Sequence, residues 1–112
     1  MSRLLGIIGE SQAEKFLKKL GYKIIEKNYH SRFGEIDIIA KDKETLVFVE
    51  VKKRKNADFA GGAEYVDLRK QKKIIATANI YLQNITQDCN IRFDVVEINS
   101  DKISHIKNAF FT

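Results

Sequence analysis

The 112-residue chain contains no proline and no tryptophan, and its single cysteine is Cys89. One cysteine can form neither an internal disulfide nor a thiolate zinc site. No apolar run approaches the ~18 residues that a membrane-spanning helix needs, and the N-terminal segment reaches Glu10 too soon for a secretory signal. We therefore expect a cytoplasmic protein without a membrane partner, in which Cys89 is an inert small hydrophobic residue before a strand.

The sequence also lacks repeats, low-complexity tracts and any proline-marked linker, so nothing divides it into parts. Hydrophobic residues make up 44% of the chain, which is enough to build a core and excludes a disordered tail. We expect one domain that covers residues 1–112.

Positive charge is concentrated in one part of the chain. The whole sequence has 20 Lys and Arg against 15 Asp and Glu, for a net charge of +5, but residues 52–73 alone carry eight basic side chains and three acidic ones. A local field of this sign attracts a phosphate backbone. The alternative interpretation is that these basic side chains only solvate one face of a helix and protect the end of a strand.

Hydrophobic periodicity predicts two helices and five strands. A helical stripe formed by Glu10, Ala13, Leu17 and Leu20 ends at Gly21, a typical C-terminal cap. The strand patterns fall at 22–29, 34–41, 45–53, 91–98 and 103–110, and a second helix is predicted from an N-cap at Asp67 to about Asn84, after a loop over 55–65. The order α-β-β-β-α-β-β predicts an α/β fold with helices packed on a mixed sheet.

Several carboxylates fall on faces where an unpaired charge would be costly. Glu10 points the same way as the core-facing stripe of the first helix, and it is either a functional glutamate or a partly exposed first-turn residue favoured by the helix dipole. Strand alternation puts Glu35 and Asp37 on one face, with Ile36 and Ile38 on the other.

The following strand adds a second carboxylate and a lysine. Alternation puts Glu50 and Lys52 on the same face as Phe48, opposite an aliphatic set of valines. A register that buries both aliphatic sets brings Asp37, Glu50 and Lys52 together. Two adjacent carboxylates repel unless a cation separates them, and oxygen ligands favour Mg²⁺ or Mn²⁺. The alternative is a cross-strand ion-pair ladder on a solvated face, with Lys52 neutralising both acids.

These residues also carry a resemblance to a known family. Asp37, twelve intervening residues and then Glu50-Val51-Lys52 resemble the PD-(D/E)XK nuclease signature, with Ile36 in the usual proline position. The surrounding strings are more specific: Gly9-Glu10, Lys27-Asn28-Tyr29, GEIDIIA at 34–40, VFVEVKKR at 47–54, Gly61-Gly62, Lys70-Gln71 and RFDVV at 92–96. Together they resemble the YraN-like family of small bacterial proteins, which is related to archaeal Holliday-junction resolvases.

The resemblance implies a restriction-endonuclease-like αβββαβ core and a set of site residues. By resemblance, Asp37 and Glu50 are metal ligands together with the Val51 carbonyl, Lys52 is the catalytic lysine, and Glu10 helps to hold metal or water. Glu35 belongs to the family string. It is expected either to contact the metal ligands without binding the metal itself or to face solvent. We expect the nucleic-acid contacts to come from basic and polar side chains of the third strand and the second helix: Lys53, Arg54, Lys70, Gln71 and Lys73. Gln71 faces inward on its helix, so it is either functional or a core-edge amide.

The main hypothesis is a Mg²⁺- or Mn²⁺-dependent DNA endonuclease of the resolvase-like kind, acting in repair or recombination. The alternative is a nucleic-acid-binding module that has the nuclease fold and does not cleave. A structural interaction protein would need neither DNA nor metal. Junction cutting needs two symmetric sites and therefore a homodimer. The last strand offers candidate dimer residues that could equally be core contacts: Ile103, Ile106, Phe110 and Phe111.

Overall fold

A computed structural model of the chain describes residues 3–54, 66–85, 88–99 and 102–110. The elements follow in the order α1 (Arg3–Lys19), β1 (Lys23–Ser31), β2 (Gly34–Asp42), β3 (Thr45–Arg54), α2 (Leu68–Leu82), β4 (Asn90–Asn99) and β5 (Lys102–Phe110). This order confirms the prediction from periodicity. The loop predicted over 55–65 and the candidate dimer residue Phe111 lie outside the described residues.

The five strands form one mixed sheet in the order β1-β2-β3-β4-β5. The pairs β1–β2, β2–β3 and β4–β5 are antiparallel, and β3 pairs with β4 in parallel. A parallel pair needs a crossover connection, and α2 lies in the segment that joins β3 to β4. The α/β class and the αβββαβ core are therefore confirmed.

Each face of the sheet has its own hydrophobic core. The face covered by α2 buries Ile36, Ile39, Leu46, Phe48, Val66, Ile74, Ala78, Phe93, Val95 and Phe110. The face covered by α1 buries Ala13, Leu17, Tyr22, Ile38, Ala40, Val47, Val49, Val96 and Ile98. The alternation of Val47, Phe48 and Val49 between the two cores matches the prediction for β3, because successive strand side chains point to opposite faces.

The end of α1 differs from the prediction at one residue. Gly21 has φ +93°, and the backbone N–H of Tyr22 donates to the Leu17 carbonyl at 3.0 Å, so the helix ends in a left-handed cap. Leu20 was expected in the core, but it is 51% exposed. The chain turns out of the helix at this point, and Tyr22, at 5% exposed, fills the core position instead.

We expect Gly21→Ala to lower the free energy of unfolding by about 1 kcal/mol, because a Cβ is strained at positive φ. Nothing lies within 4 Å of the added Cβ, so the loss measures backbone strain without a steric clash. Urea unfolding of the two proteins tests this value. A loss of several kcal/mol, or none, would contradict a purely conformational role for the glycine.

Alternation along β2 is interrupted beside Asn28, which was not foreseen. Ile36 packs on the α2 face and Ile38 on the α1 face, so the prediction that they share a face is wrong. Their partners on β1 are Tyr29 and Lys27, and the residue between these two, Asn28, has φ 53°. A left-handed residue in a strand changes the direction of the side chains that follow it. The two strands therefore change phase together at Asn28 and Asp37.

The last strand and the cysteine settle two smaller expectations. Phe110 and Ile106 belong to the core on the α2 face, and Ile103 packs against the core on the α1 face. This favours the interpretation of these three residues as core contacts. Cys89 lies directly before β4, as predicted, and its side chain is exposed. Within the described ranges, no helix is both long enough and apolar enough to cross a membrane.

A network of charged side chains lies on the α1 face around Asp94, which is 0% exposed. Asp94 accepts hydrogen bonds from Arg92 Nε at 2.8 Å and from the backbone N–H of Asn108 at 3.1 Å, and it lies 2.8 Å from His105 Nε2. Arg92 also donates to the Tyr22 hydroxyl at 2.6 Å and to Asp42 Oδ2 at 3.2 Å. The Arg92–Asp94 pair is therefore part of a network that joins β2, β4 and β5 to Tyr22, the residue before β1.

Candidate functional site

Asp37 lies where β2 and β3 stop pairing regularly. The ladder runs from Asp42 opposite Thr45 to Ile38 opposite Val49. One residue further, the Asp37 side chain takes the place of a backbone acceptor, because its Oδ2 accepts the Val51 backbone N–H at 2.8 Å. The local irregularity thus holds the carboxylate at a fixed position between the two strands.

Three carboxylates converge at this position. One oxygen each from Glu10, Glu35 and Asp37 lies within 4.8 Å of the other two. They come from α1 and β2, so the helix supplies the acid that its sequence pattern placed toward the sheet. The structure brings Glu35 into the cluster, although its sequence position suggested only a supporting or solvent-facing role. Carboxylate oxygens within this distance of one another suit a hard divalent cation.

Glu50 adds a fourth carboxylate from β3. It is 5% exposed, and its side chain is within hydrogen-bonding reach of Asp37. Burial, reinforced by the charge of Glu50, raises the pKa of Asp37 to about 8. Burial also raises the pKa of Glu10, and repulsion from Glu35 and Glu50 raises it further. The cluster therefore concentrates negative charge that protons or cations must compensate.

Asn28 supports the cluster from the edge strand. Its side chain hydrogen-bonds Glu10, which partly offsets the rise in the pKa of that glutamate. The left-handed backbone of Asn28, φ 53°, coincides with the change of phase opposite Asp37. Sequence reasoning assigned this residue no role. The available signal was an asparagine in the middle of a strand pattern, because asparagine is depleted in strands and tolerates positive φ.

The N-terminus of α2 brings a lysine to Glu50. Asp67 caps the helix by accepting the Lys70 backbone N–H at 2.8 Å, and Lys70 Nζ lies 2.5 Å from Glu50 Oε2. Burial alone would lower the pKa of Lys70, but the ion pair with Glu50 outweighs it and the pKa is raised. Lys70, predicted to contact nucleic acid, therefore lies within the acidic cluster and stays charged at neutral pH.

A cleft of about 390 Å³ opens beside these groups. It is lined by Gly34, Glu35, Asp37, Glu50, Asp67, Arg69, Lys70, Lys73 and Ile74. One wall is acidic and comes from β2 and β3, and the other is basic and comes from α2. Lys73, which was predicted to contact nucleic acid, lies on the basic wall. Arg69 was counted in the basic segment but not selected as a site residue.

Lys52 lies two residues beyond Glu50 on the same strand. In register it pairs with Glu97 of β4, a residue that is 0% exposed. Strand alternation directs both side chains to the face that carries Phe48 and Val95, which is the α2 face. The catalytic role of Lys52 and the ligand role of the Val51 carbonyl stay predictions.

Two other predicted nucleic-acid contacts, Lys53 and Gln71, hydrogen-bond elsewhere in the chain. Lys53 Nζ donates to Gln12 Oε1 of α1 at 3.1 Å, so this side chain is on the opposite face of the sheet. Gln71 Nε2 donates to the Val66 carbonyl at 2.8 Å and thereby anchors the segment before α2, which favours the core-edge interpretation of this amide. Arg54 is the last residue of β3.

Comparisons with known proteins identify the family. Residues 9–98 match the family described as "Uncharacterised protein family UPF0102". A UPF0102 protein of Thermodesulfovibrio yellowstonii is 46% identical over 112 residues, covering 99% of this chain and 100% of the relative. Relatives from Persephonella marina and Clostridioides difficile are 44% and 46% identical, covering 97% and 94% of this chain and 95% of each relative.

Among solved structures, the one described as "Crystal structure of SSO0001" is 17% identical, with a TM-score of 0.47. The similarity covers 93% of this chain and 50% of that one, so this chain spans half of its length. Nothing about function is transferred from so distant a structure. The family match and the relatives, in contrast, extend over most of the sequence, and the chain belongs to the UPF0102 family, the YraN-like family that its motifs resemble.

Proposed function

We propose that the protein is a Mg²⁺- or Mn²⁺-dependent DNA endonuclease that hydrolyses phosphodiester bonds, of the resolvase-like kind that acts in repair or recombination. The observation that carries this proposal is the meeting of three carboxylates from two elements, within 4.8 Å of one another, at a cleft whose other wall is basic. Acids alone would repel DNA, and bases alone would only bind it. The combination suits phosphodiester hydrolysis, because basic side chains and a metal ion would hold the phosphate group beside the carboxylates.

The donor set fits a hard divalent cation. Asp37 and Glu50 are the proposed ligands, with the Val51 carbonyl and Glu10 completing the set, and Glu35 is close enough to join it. All of these are oxygen donors, as Mg²⁺ and Mn²⁺ prefer. When bound, such an ion lowers the pKa of a water ligand and stabilises charge on a phosphoryl oxygen.

The remaining residues have distinct proposed roles. The Val51 N–H keeps Asp37 oriented toward the cluster. Lys52 binds a phosphate oxygen or positions the attacking water. Arg69, Lys70 and Lys73 line the basic wall and bind the backbone on either side of the scissile bond. Nucleic-acid contacts by Lys53, whose side chain reaches α1, and by Arg54, the last residue of β3, stay predictions. A cytoplasmic location and a homodimer stay predictions.

One observation favours the alternative, a nucleic-acid-binding module without cleavage. Lys70 already neutralises Glu50, and an Asp37 with a pKa of about 8 is protonated at neutral pH, so the cluster can be compensated without a metal. A pure binder, however, gains nothing from four carboxylates that face phosphate. We therefore rank the endonuclease first.

The test uses purified protein with a four-way junction, a flap and a plain duplex, each in Mg²⁺, Mn²⁺ or EDTA. We expect cutting only with a divalent metal, and we expect Glu50→Gln to abolish it, because the amide is a weaker ligand and carries no charge. The preferred substrate identifies the DNA structure on which the enzyme acts.

The matched control is Glu44→Gln, an exposed glutamate in the turn before β3, which is expected to cut like the wild type. Binding to all three DNAs without cutting in either metal, weakened by salt and unchanged by Glu50→Gln, would support the binding module instead.

A further inference from the structure

The turn between β1 and β2 presents an exposed aromatic ring. Phe33 is 43% exposed, whereas most large hydrophobic residues in the described part of the chain are buried. The guanidinium carbon of Arg32 lies 4.9 Å from the centre of the Phe33 ring, in a cation–π contact. The Phe33 ring therefore offers exposed aromatic surface to a flat partner, with a guanidinium group beside it.

The turn is fixed in place by contacts on both sides. Ser31 Oγ lies 2.8 Å from Thr77 Oγ1 of α2, and it also accepts the Phe33 backbone N–H at 3.0 Å. Gly34 packs so closely on α2 that an added Cβ would lie 3.4 Å from the Lys73 Cβ. The backbone that carries the ring is therefore fixed against α2, which lowers the conformational entropy that the turn loses when a partner binds.

The position of the turn relates the ring to the cleft. Gly34 and Glu35, the next two residues along the chain, line the cleft that contains Asp37 and the basic wall of α2. A partner in contact with Phe33 therefore lies at the entrance to the candidate site. Arg32 lies at the ring, and Arg69 and Lys73 line the cleft. These positive charges favour an anionic partner over an apolar protein surface.

We propose that Arg32 and Phe33 form a stacking platform for an unpaired nucleobase next to the scissile phosphate. This rests on the proposed function and specifies its substrate class. Bases within an uninterrupted duplex are already stacked on their neighbours, so the platform favours DNA with a single-stranded element at the cleavage position, such as a gap, a flap or an open junction centre. Base stacking on an aromatic side chain depends little on sequence, because every base has a flat face.

The absence of tryptophan from the chain allows a direct test. Phe33→Trp gives a protein with one tryptophan, and the assay is its fluorescence during titration with single-stranded DNA in EDTA. We expect quenching by a normal strand and much less quenching by an abasic strand of the same length and charge. Leu20→Trp is the control, because Leu20 is 51% exposed and lies about 15 Å beyond Glu10 along the α1 direction. Equal quenching by both strands, or equal quenching in both variants, would overturn the platform.

Affinity gives a second measurement. Phe33→Leu keeps an apolar side chain but removes the aromatic face, and we expect it to bind gapped DNA roughly 5- to 150-fold more weakly, with little change for blunt duplex. An equal loss for both DNAs would point to a general contact, and no loss for either would also reject the platform. Both measurements are made in EDTA and do not depend on cleavage. Stacking in EDTA together with no cleavage in Mg²⁺ or Mn²⁺ would reject the proposed nuclease activity and still support the platform.

Discussion

Asp37→Asn is expected to lower the cleavage rate by about 10³-fold or more, while it stabilises the folded protein at pH 8 in EDTA. The first effect follows from the loss of a charged ligand, because removing one member of a catalytic set typically costs several orders of magnitude. The second follows from burial, since Asp37 is held beside Glu50 in a place that disfavours its charge. Loss of activity together with a gain in stability separates a catalytic carboxylate from a structural one.

The pH dependence of this stabilisation has a definite sign. The pKa of Asp37 rises from 3.8 to about 8 in the folded protein, so the folded state binds more protons than the unfolded state between these values. Stability is therefore lost as the pH rises through this range. Asparagine does not titrate, and its side-chain oxygen can still accept the Val51 N–H. The gain from Asp37→Asn should be small near pH 4 and should reach several kcal/mol at pH 8.

Urea unfolding in EDTA at several pH values measures this gain, and a cleavage assay in Mg²⁺ or Mn²⁺ measures the rate. Asp88→Asn is the matched control, because Asp88 is exposed and does not line the cleft beside Asp37. A variant that loses stability at every pH would show that Asp37 holds the strands together. Full cleavage activity in the variant would remove Asp37 from the proposed metal site.

The sequence predicted the fold well because several local signals agreed. Strong alternation in 45–53 assigned the correct face to Glu50, and the caps Asp67 and Gly21 lie where they were expected. The order α-β-β-β-α-β-β followed from periodicity alone. Each of these features is determined by residues that are close together in the chain, so it can be predicted from one sequence.

The details of the site depend on contacts that periodicity does not describe. Strict alternation put Ile36 and Ile38 on one face, but the left-handed Asn28 changes the phase of both strands. Lys70 was expected to contact nucleic acid, but no local pattern indicated that the first turn of α2 also brings it to Glu50. Pairings between residues about 20 positions apart result from the packing of α2 on the sheet, which local patterns cannot specify.

Asp94→Asn is expected to lower the free energy of unfolding by about 3–5 kcal/mol at pH 7, the usual cost of removing one partner from a buried ion pair. The substitution keeps the shape of the side chain but leaves the Arg92 guanidinium, whose side chain is 15% exposed, without its main counter-charge. It also weakens the contact with His105, which is 7% exposed and lies edge-on to the rings of Phe16 and Tyr22. Urea unfolding measures the loss.

The same experiment at low pH shows whether charge is responsible for the loss. Burial alone would raise the pKa of Asp94, but hydrogen bonds from His105 and Arg92 outweigh it and the pKa lies below 3.8. The stabilisation is therefore present above the unfolded pKa and is lost as the pH falls through the folded one. The difference between wild type and Asp94→Asn should shrink below about pH 4.

Asp42→Asn is the matched control for Asp94. It contacts the same arginine, but its side chain is 25% exposed, so we expect a loss of under about 1 kcal/mol. A difference for Asp94→Asn that stays constant from pH 7 to pH 3 would assign the loss to packing, because only a charged partner responds to protonation. Asp94 lies on the α1 face, opposite the cleft formed with α2, so the folded fraction of the variant should keep its cleavage rate. Stability and catalysis are then separable within one sheet: the buried acid that stabilises the fold is paired with an arginine, and the acid proposed for catalysis lies beside other acids.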